Sequence, residues 1–246
     1  MTKLNLADQL NEEHAWPGLH QWLAMQISKL PGISPETPVL DLGCGTGSWL
    51  RRLADAGYRD LVGVDSERET HFAGAEAVNF VKGNLNDEDL DLGDRKFGLI
   101  TAIEVIEHLA RPERLFDHAL RYLDKTGWML ITTPNIYSIR VRMRFLLEGE
   151  MLWFDKYAND HHLHPVLLGP LNRVVLEPRD LAIVEIRTYP ENGASPDGRR
   201  WSARLFDRII ATVLPNDLRG DALCLLVRRR TVNDFETARE NRRHRG

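Results

Sequence analysis

The sequence predicts an α/β domain built on a mostly parallel sheet. Between Val39 and Thr132, short apolar runs alternate with stretches of helical periodicity, which is typical of successive βα units. The clearest unit is residues 39–47, where the run Val-Leu-Asp-Leu leads into a turn with glycine at every second position. With 246 residues, 43% of them hydrophobic, the chain can bury one sizeable core.

Seven strands follow from this pattern, at residues 39–42, 61–64, 78–81, 97–103, 128–132, 182–188 and 222–227. A helix is expected over residues 112–123, because its apolar residues fall on one face. Two more helices are expected within residues 135–180 and 190–221. The apolar stripe of the second, over residues 201–214, favours packing on the sheet or lining a pocket over contact with a membrane.

The glycine turn after the first strand predicts a site for a nucleotide-like ligand. Gly43, Gly45 and Gly47 can adopt positive φ and leave no Cβ in a ligand's way, and the next helix directs its free N–H groups at the same place. The dinucleotide fingerprint Gly-x-Gly-x-x-Gly is not met. The second strand ends in Asp65, whose carboxylate can accept two hydrogen bonds from a ribose diol.

These segments, in order along the chain, resemble the motifs of class I S-adenosylmethionine (SAM) methyltransferases. The strand around Asp41 with its glycine turn is similar to the first motif, and Asp65 and Asn84 end the next two strands. The family usually has Asp where this chain has Asn84, whose carbonyl oxygen can still accept from the adenine amino group. Glu-x-x-Glu-His at residues 104–108 and Thr-Thr-Pro-Asn at residues 132–135 resemble the ubiquinone-biosynthesis O-methyltransferase branch, over roughly residues 35–190.

The resemblance implies a seven-stranded Rossmann-like class I methyltransferase fold, a mostly parallel sheet with an antiparallel C-terminal hairpin. It implies one SAM-binding domain over residues 1–230, with residues 1–36 as an N-terminal cap and residues 135–180 and 190–221 as insertions on the acceptor side. For residues 1–36, a surface helix that buries its aromatic side chains is the alternative. Residues 231–246 are expected to be a basic, disordered tail.

The implied cofactor is SAM, held by residues at the carboxyl ends of the strands and in the turns after them. This set comprises Asp41, Gly43, Cys44, Gly45, Asp65, Ser66, Asn84, Leu85 and Ile103. Cys44 is expected to contribute a backbone contact and a small side chain rather than a nucleophile.

The motif Glu104, Glu107 and His108 allows three interpretations. A helix that begins near Glu104 would put all three on one face. There, His108 could be a general base oriented by Glu107, as one catalytic hypothesis. Alternatively, the three could hold a divalent metal, with a further histidine from residues 161–164, of which His162 best matches the relatives. Finally, the two acids could merely cap a helix N-terminus.

The resemblance implies an enzyme that transfers the methyl group of SAM to a small molecule, at oxygen. The alternatives are a small-RNA 2′-O-methyltransferase, or a SAM-binding protein without catalysis. Arg140, Arg142 and Arg144 could favour an acceptor with a carboxylate or phosphate, or form a solvated helix face. RNA binding is disfavoured, because outside the last 19 residues, which include seven Arg, the chain is acidic overall.

Cysteine content and hydropathy predict a cytoplasmic protein. The two cysteines offer no disulfide framework, which fits a reducing compartment. The N-terminal residues lack an apolar signal core, and no run approaches the ~18 apolar residues that span a bilayer. The sequence leaves the oligomeric state and the need for a metal open.

Overall fold

A computed structural model describes residues 15–66, 78–87, 90–155, 161–191 and 219–230 of the chain. These residues form one seven-stranded sheet with helices on both faces. The strands are β1 (Val39–Leu42), β2 (Leu61–Asp65), β3 (Val78–Lys82), β4 (Phe97–Ile103), β5 (Leu123–Pro134), β6 (Leu181–Tyr189) and β7 (Ala222–Arg229). The main helices are α1 (Leu19–Ile27), α2 (Ser48–Asp55), α3 (Pro112–Tyr122) and α4 (Ile139–Glu148).

The strand order is β3-β2-β1-β4-β5-β7-β6, as the predicted fold class requires. Strands β1 to β5 are parallel, and β7 runs antiparallel to both β5 and β6. All seven predicted strands are therefore confirmed, although β5 begins five residues before the predicted position 128. The carboxyl ends of the five parallel strands lie along one edge, where open α/β sheets bind ligands.

Alternating residues of the strands divide the core between the two faces of the sheet. On one face, Leu40 and Ile100 pack in a cluster with Phe116 of α3. On the other, Val39 and Leu99 pack in a cluster with the buried side chains of α1 and α2. Burial on both faces explains why the central strands are continuous apolar runs.

Residues 15–36 have features of both structures predicted for the N-terminal segment, a cap and a helix that buries its aromatic side chains. Trp22 of α1 is buried against Tyr189, with ring centroids 5.5 Å apart, as a helix that buries aromatic side chains requires. The Tyr189 hydroxyl donates a 2.7 Å hydrogen bond to the Pro17 carbonyl, which ties the start of this segment to β6. Trp16 and His20 line a cavity at the carboxyl edge of the sheet, as a cap would.

Several sequence predictions fall outside the described residues. They concern residues 1–14, the apolar stripe within 201–214 and the tail 231–246, so the domain limit at residue 230 stays a prediction. Within the described residues, no helix combines the length and apolar character needed to cross a bilayer.

The close contact between β2 and the glycine turn makes Gly63 a test of the packing. A Cβ on Gly63 would lie 2.7 Å from both Cys44 Sγ and Leu50 Cδ1. Because both neighbours are buried, we expect Gly63→Ala to lower the free energy of unfolding by about 1–3 kcal/mol, measured by chemical denaturation.

Gly83→Ala is the matched control, because its added Cβ would lie farther from its neighbours, 3.0 Å from Leu90 Cδ1 and 3.2 Å from Val64 Cγ1. Its loss of stability should be the smaller of the two. Equal losses would show that the contact of β2 with the turn is not tight.

Candidate cofactor and acceptor site

The glycine turn is held against β2 by its own backbone. The amides of Gly43 and Cys44 both donate to the Val64 carbonyl, at 2.7 and 3.0 Å. Gly43 has φ +80°, and a Cβ there would lie 2.6 Å from Val105 Cγ2, so only glycine fits. Gly45 also has positive φ, but no atom lies within 4 Å of its would-be Cβ, which leaves space for a ligand beside the backbone.

A smaller cavity of about 320 Å³ lies between the ends of β2, β3 and β4. Asp65 and Asn84 line it, and an Asp65 carboxylate oxygen accepts a 2.8 Å hydrogen bond from the Gly45 amide. The side-chain oxygen of Asn84 accepts from the Asn86 amide at 3.1 Å, so it stabilises its own turn as well as facing the cavity.

A larger cavity of about 600 Å³ lies on the other side of the turn. It is lined from the N-terminal segment, the turn, α2, the ends of β4 and β5, and His162. The two cavities meet at three residues that line both, namely Gly43, Glu104 and His108. Every residue of the predicted cofactor set lines one cavity or the other: Asp41, Gly43, Cys44, Gly45 and Ile103 the larger, and Gly43, Asp65, Ser66, Asn84 and Leu85 the smaller.

Asp41 is a buried carboxylate at the base of the larger cavity. It is 2% exposed and accepts a 2.6 Å hydrogen bond from the Thr101 hydroxyl. Burial raises the pKa of Asp41 to about 7, against the effect of that hydrogen bond. Burial likewise raises the pKa of the Cys44 thiol, which argues against a thiolate nucleophile there.

The chain after β4 does not form the expected helix. Glu104 has φ +53°, and its amide donates to the backbone carbonyl and the side-chain oxygen of Thr132, at 3.2 and 3.0 Å. Only a single 3₁₀ turn follows, Ile106–His108, and α3 begins at Pro112. The predicted helix start at Glu104 is therefore wrong, and so is the interpretation of Glu104 and Glu107 as capping residues.

Glu107 is fully buried, and neither of its carboxylate oxygens has a hydrogen-bond partner of normal geometry. Burial, and then the nearby Glu104 carboxylate, raise the pKa of Glu107 well above its usual value. Burial also raises the pKa of Glu104, to about 7. A buried carboxylate without partners is costly, and Glu107 also lies beside the Glu104 carboxylate, so the site favours a proton or a cation.

His108 and His162 face each other beside Glu107. Their ring centroids lie 4.8 Å apart, edge to face. Nδ1 of His108 lies 2.9 Å from the His161 carbonyl, and Nδ1 of His162 lies 2.9 Å from the Trp153 carbonyl. Since a carbonyl can only accept, each Nδ1 donates its hydrogen, and in the neutral ring this tautomer leaves the lone pair on Nε2.

Glu107, His108 and His162 each offer a ligand atom, and these atoms lie within 4.8 Å of one another. The donors suit a divalent transition metal, and imidazoles that donate Nδ1–H to a carbonyl are oriented as metal ligands usually are. Burial lowers the pKa of His108, which keeps the ring neutral for either role. Glu104 is not part of this group.

The arginines of α4 do not line either cavity. Arg140 lies 3.4 Å from the Asp221 carboxylate, and Arg144 lies 2.8 Å from the buried Asp155 carboxylate. Arg142 lies over the Tyr137 ring, 5.9 Å from its centroid. This geometry does not support the interpretation of the three arginines as a set that binds the acceptor.

Sequence reasoning missed two residues at the larger cavity. Trp49 lines it from α2, and the buried Thr101 donates a hydrogen bond to Asp41. Only Thr101 carried a signal, as a polar residue in the apolar run of β4 next to the strand that carries Asp41.

Comparison with known proteins supports the same fold. The sequence model of a family described as a methyltransferase domain matches residues 18–173. Sterol 24-C-methyltransferase of Yarrowia lipolytica is 31% identical over 105 residues, which are 39% of this chain and 27% of that protein. Ubiquinone biosynthesis O-methyltransferase of Azorhizobium caulinodans is 30% identical over 142 residues, which are 51% of this chain and 54% of that protein.

A solved SAM-dependent methyltransferase from Archaeoglobus fulgidus superposes with a TM-score of 0.57 at 20% identity, over 85% of this chain and 92% of that one. At that identity the likeness shows the fold alone. The chain spans about a quarter to a half of the length of the first curated relatives that it matches.

The buried acids predict a pH dependence of stability. The pKa of Glu104 and that of Glu107 are raised in the folded state, so folding takes up protons near neutral pH. Their stabilising contribution is complete below the unfolded pKa and is lost as pH rises through the folded pKa. In chelator-treated protein, we therefore expect the free energy of unfolding to fall between about pH 5 and 8, and Glu107→Gln to flatten that slope by at most about 1.4 kcal/mol per pH unit.

Glu148→Gln is the control, because Glu148 lies exposed on α4. It should leave the pH dependence as in the wild type. A slope unchanged by Glu107→Gln would contradict the assignment of a raised pKa to Glu107.

Proposed function

This chain belongs to the methyltransferase domain family, and from that premise we propose that it transfers the methyl group of SAM to an oxygen atom of a small-molecule acceptor. The observation that carries the proposal is the junction of the two cavities at Gly43, Glu104 and His108. One cavity has the size and polar edge for a nucleoside, and the other has room for the methionine portion and an acceptor.

The cofactor placement follows from the lining residues. Asp65 would hold the ribose hydroxyls, and Asn84 and Leu85 would hold the adenine. Asp41 and the open backbone at Gly45 would hold the methionine portion. The Glu104 carboxylate would favour the positive charge of the sulfonium.

The reaction is a direct displacement at the methyl carbon. The acceptor oxygen forms a bond to that carbon as the carbon–sulfur bond breaks, and S-adenosylhomocysteine leaves with the bonding electron pair. SAM supplies the activated methyl group, so the protein has to align the acceptor and accept its hydroxyl proton. His108 Nε2 is the proton acceptor, because its lone pair remains available at the junction while Nδ1 donates to the His161 carbonyl.

The same three side chains, Glu107, His108 and His162, fit a divalent metal ion. When bound there, a metal would lower the pKa of an acceptor hydroxyl and favour a vicinal diol or a catechol. The chain's own contribution is then the two imidazole nitrogens and the buried carboxylate, whose oxygens have no other partner of normal geometry.

Two further observations support oxygen and a small acceptor. The curated relatives include both C- and O-methyltransferases, so the choice of oxygen rests on the site: the paired imidazoles of His108 and His162 suit an acceptor that must lose a hydroxyl proton. No Lys or Arg occurs among the described residues that line the cavities, although a polynucleotide backbone requires cationic contacts. We further propose a cytoplasmic location, from the cysteine content.

The direct test is transfer of a labelled methyl group from SAM into fractionated cell extract, with and without a chelator. We expect label in the small-molecule fraction, in an alkali-stable ether. Label in RNA would move the assignment to a 2′-O-methyltransferase, and label on carbon would contradict the oxygen acceptor. A protein that binds SAM but transfers no label to any fraction would be a binding protein only.

The role of His108 is tested in the same assay. His108→Gln removes the Nε2 lone pair and should reduce methyl transfer by about 100-fold or more, with little change in S-adenosylhomocysteine affinity. If the chelator also abolishes transfer and Mn²⁺ restores it, the cluster acts by holding a metal. Unchanged transfer by His108→Gln would exclude both catalytic roles.

The ribose placement is tested by Asp65→Ala. Loss of a charged hydrogen-bonding partner should weaken S-adenosylhomocysteine binding by about 10- to 100-fold, measured by calorimetry. Asp124→Ala, at an exposed position in β5, is the control and should bind as the wild type does. Retained affinity in Asp65→Ala would show that the ribose lies elsewhere.

A further inference from the structure

A chain of buried hydrogen bonds runs beneath the larger cavity from α2 to β1. The Trp49 indole Nε1–H donates to the Thr101 hydroxyl oxygen at 3.2 Å, and that hydroxyl lies 2.6 Å from an Asp41 carboxylate oxygen. Thr101 is fully buried, and the other two are 2% exposed. Asp41 and Thr101 are direct neighbours in the register of β1 and β4, so the sheet itself fixes their approach.

The direction of this chain follows from hydroxyl chemistry. The Trp49 indole can only donate, so it occupies a lone pair of the Thr101 oxygen. The single hydroxyl hydrogen is left for an acceptor, and Asp41 at 2.6 Å is far closer than the Leu40 carbonyl at 3.5 Å. Thr101 therefore donates to Asp41, and a hydrogen bond to a carboxylate favours its ionised form.

The surroundings of Asp41 otherwise oppose its charge. Burial is the largest influence, and Asp65 at the end of β2 adds repulsion. The other titratable groups along the cavity are the carboxylate of Glu104, the buried thiol of Cys44, and the imidazoles of His20, His108 and His162. The only hydrogen bond that the described structure gives to the Asp41 carboxylate is the one from Thr101.

We propose that Thr101, oriented by Trp49, is a positioning residue that keeps Asp41 ionised to receive the cationic amino group of the methionine portion of the cofactor. This inference rests on the proposed function for the identity of the cofactor. It assigns a role to a residue that touches no ligand itself and acts only through Asp41. The proposal has a specific consequence: loss of the Thr101 hydroxyl should weaken the binding only of ligands that carry the amino-acid portion.

The test compares two ligands by calorimetry at pH 7.0 and pH 8.5. S-adenosylhomocysteine carries the amino group, whereas methylthioadenosine has the same nucleoside and sulfur without it. In Thr101→Val, which keeps the branched shape but loses the hydroxyl, we expect S-adenosylhomocysteine to bind at least tenfold more weakly at pH 7.0. Part of that loss should be recovered at pH 8.5, and methylthioadenosine should bind as it does to the wild type.

Thr101→Ser restores the hydroxyl and should bind both ligands within about threefold of wild type. Trp49→Phe removes the indole donor and should weaken the binding of S-adenosylhomocysteine but not of methylthioadenosine. This variant replaces Thr101→Val in the test if Thr101→Val does not fold. Equal weakening of both ligands would show a merely structural role, and unchanged affinities would also overturn the proposal. Failure of the wild type to bind S-adenosylhomocysteine would instead contradict the proposed function.

Discussion

Four carboxylates meet at one edge of the sheet, and the site depends on how their charge is balanced. Asp41 lies one residue before the end of β1, Asp65 ends β2, and Glu104 and Glu107 follow β4. Burial raises the pKa of Asp41 and of Glu104 to about 7 and that of Glu107 well above normal. The protein alone supplies little positive charge, since no Lys or Arg lines the described cavities. Such an edge is completed by cations, and a sulfonium cofactor with an ammonium group provides two.

The charge balance among these carboxylates couples the binding of a cation to the stability of the folded protein. A cation that binds the ionised acids stabilises the folded state, whereas without it the same acids are held protonated or repel one another. Burial lowers the pKa of His108, and the rings of His108 and His162 each place Nδ1 2.9 Å from a backbone carbonyl. The acidic edge and the imidazoles are thus separate parts of one site. We propose that the carboxylates hold a cationic methyl donor and that His108 takes the proton from the acceptor.

Much of the fold and of the cofactor side could be predicted from sequence, because both are local. Apolar runs gave the seven strands, and residues that directly follow a strand, such as Asp65 and Asn84, had to lie at the carboxyl edge. Predictions failed where distant contacts decide the backbone. Glu104 leaves the helical conformation because its amide bonds to Thr132 in the neighbouring strand.

The structure of the protein with S-adenosylhomocysteine bound tests the central claim most directly, because the account rests on one cofactor spanning both cavities. It predicts the ribose hydroxyls on the Asp65 carboxylate, the amino group on Asp41, and the sulfur at the junction formed by Gly43, Glu104 and His108. A ligand confined to one cavity, or a sulfur directed away from His108, would contradict the account.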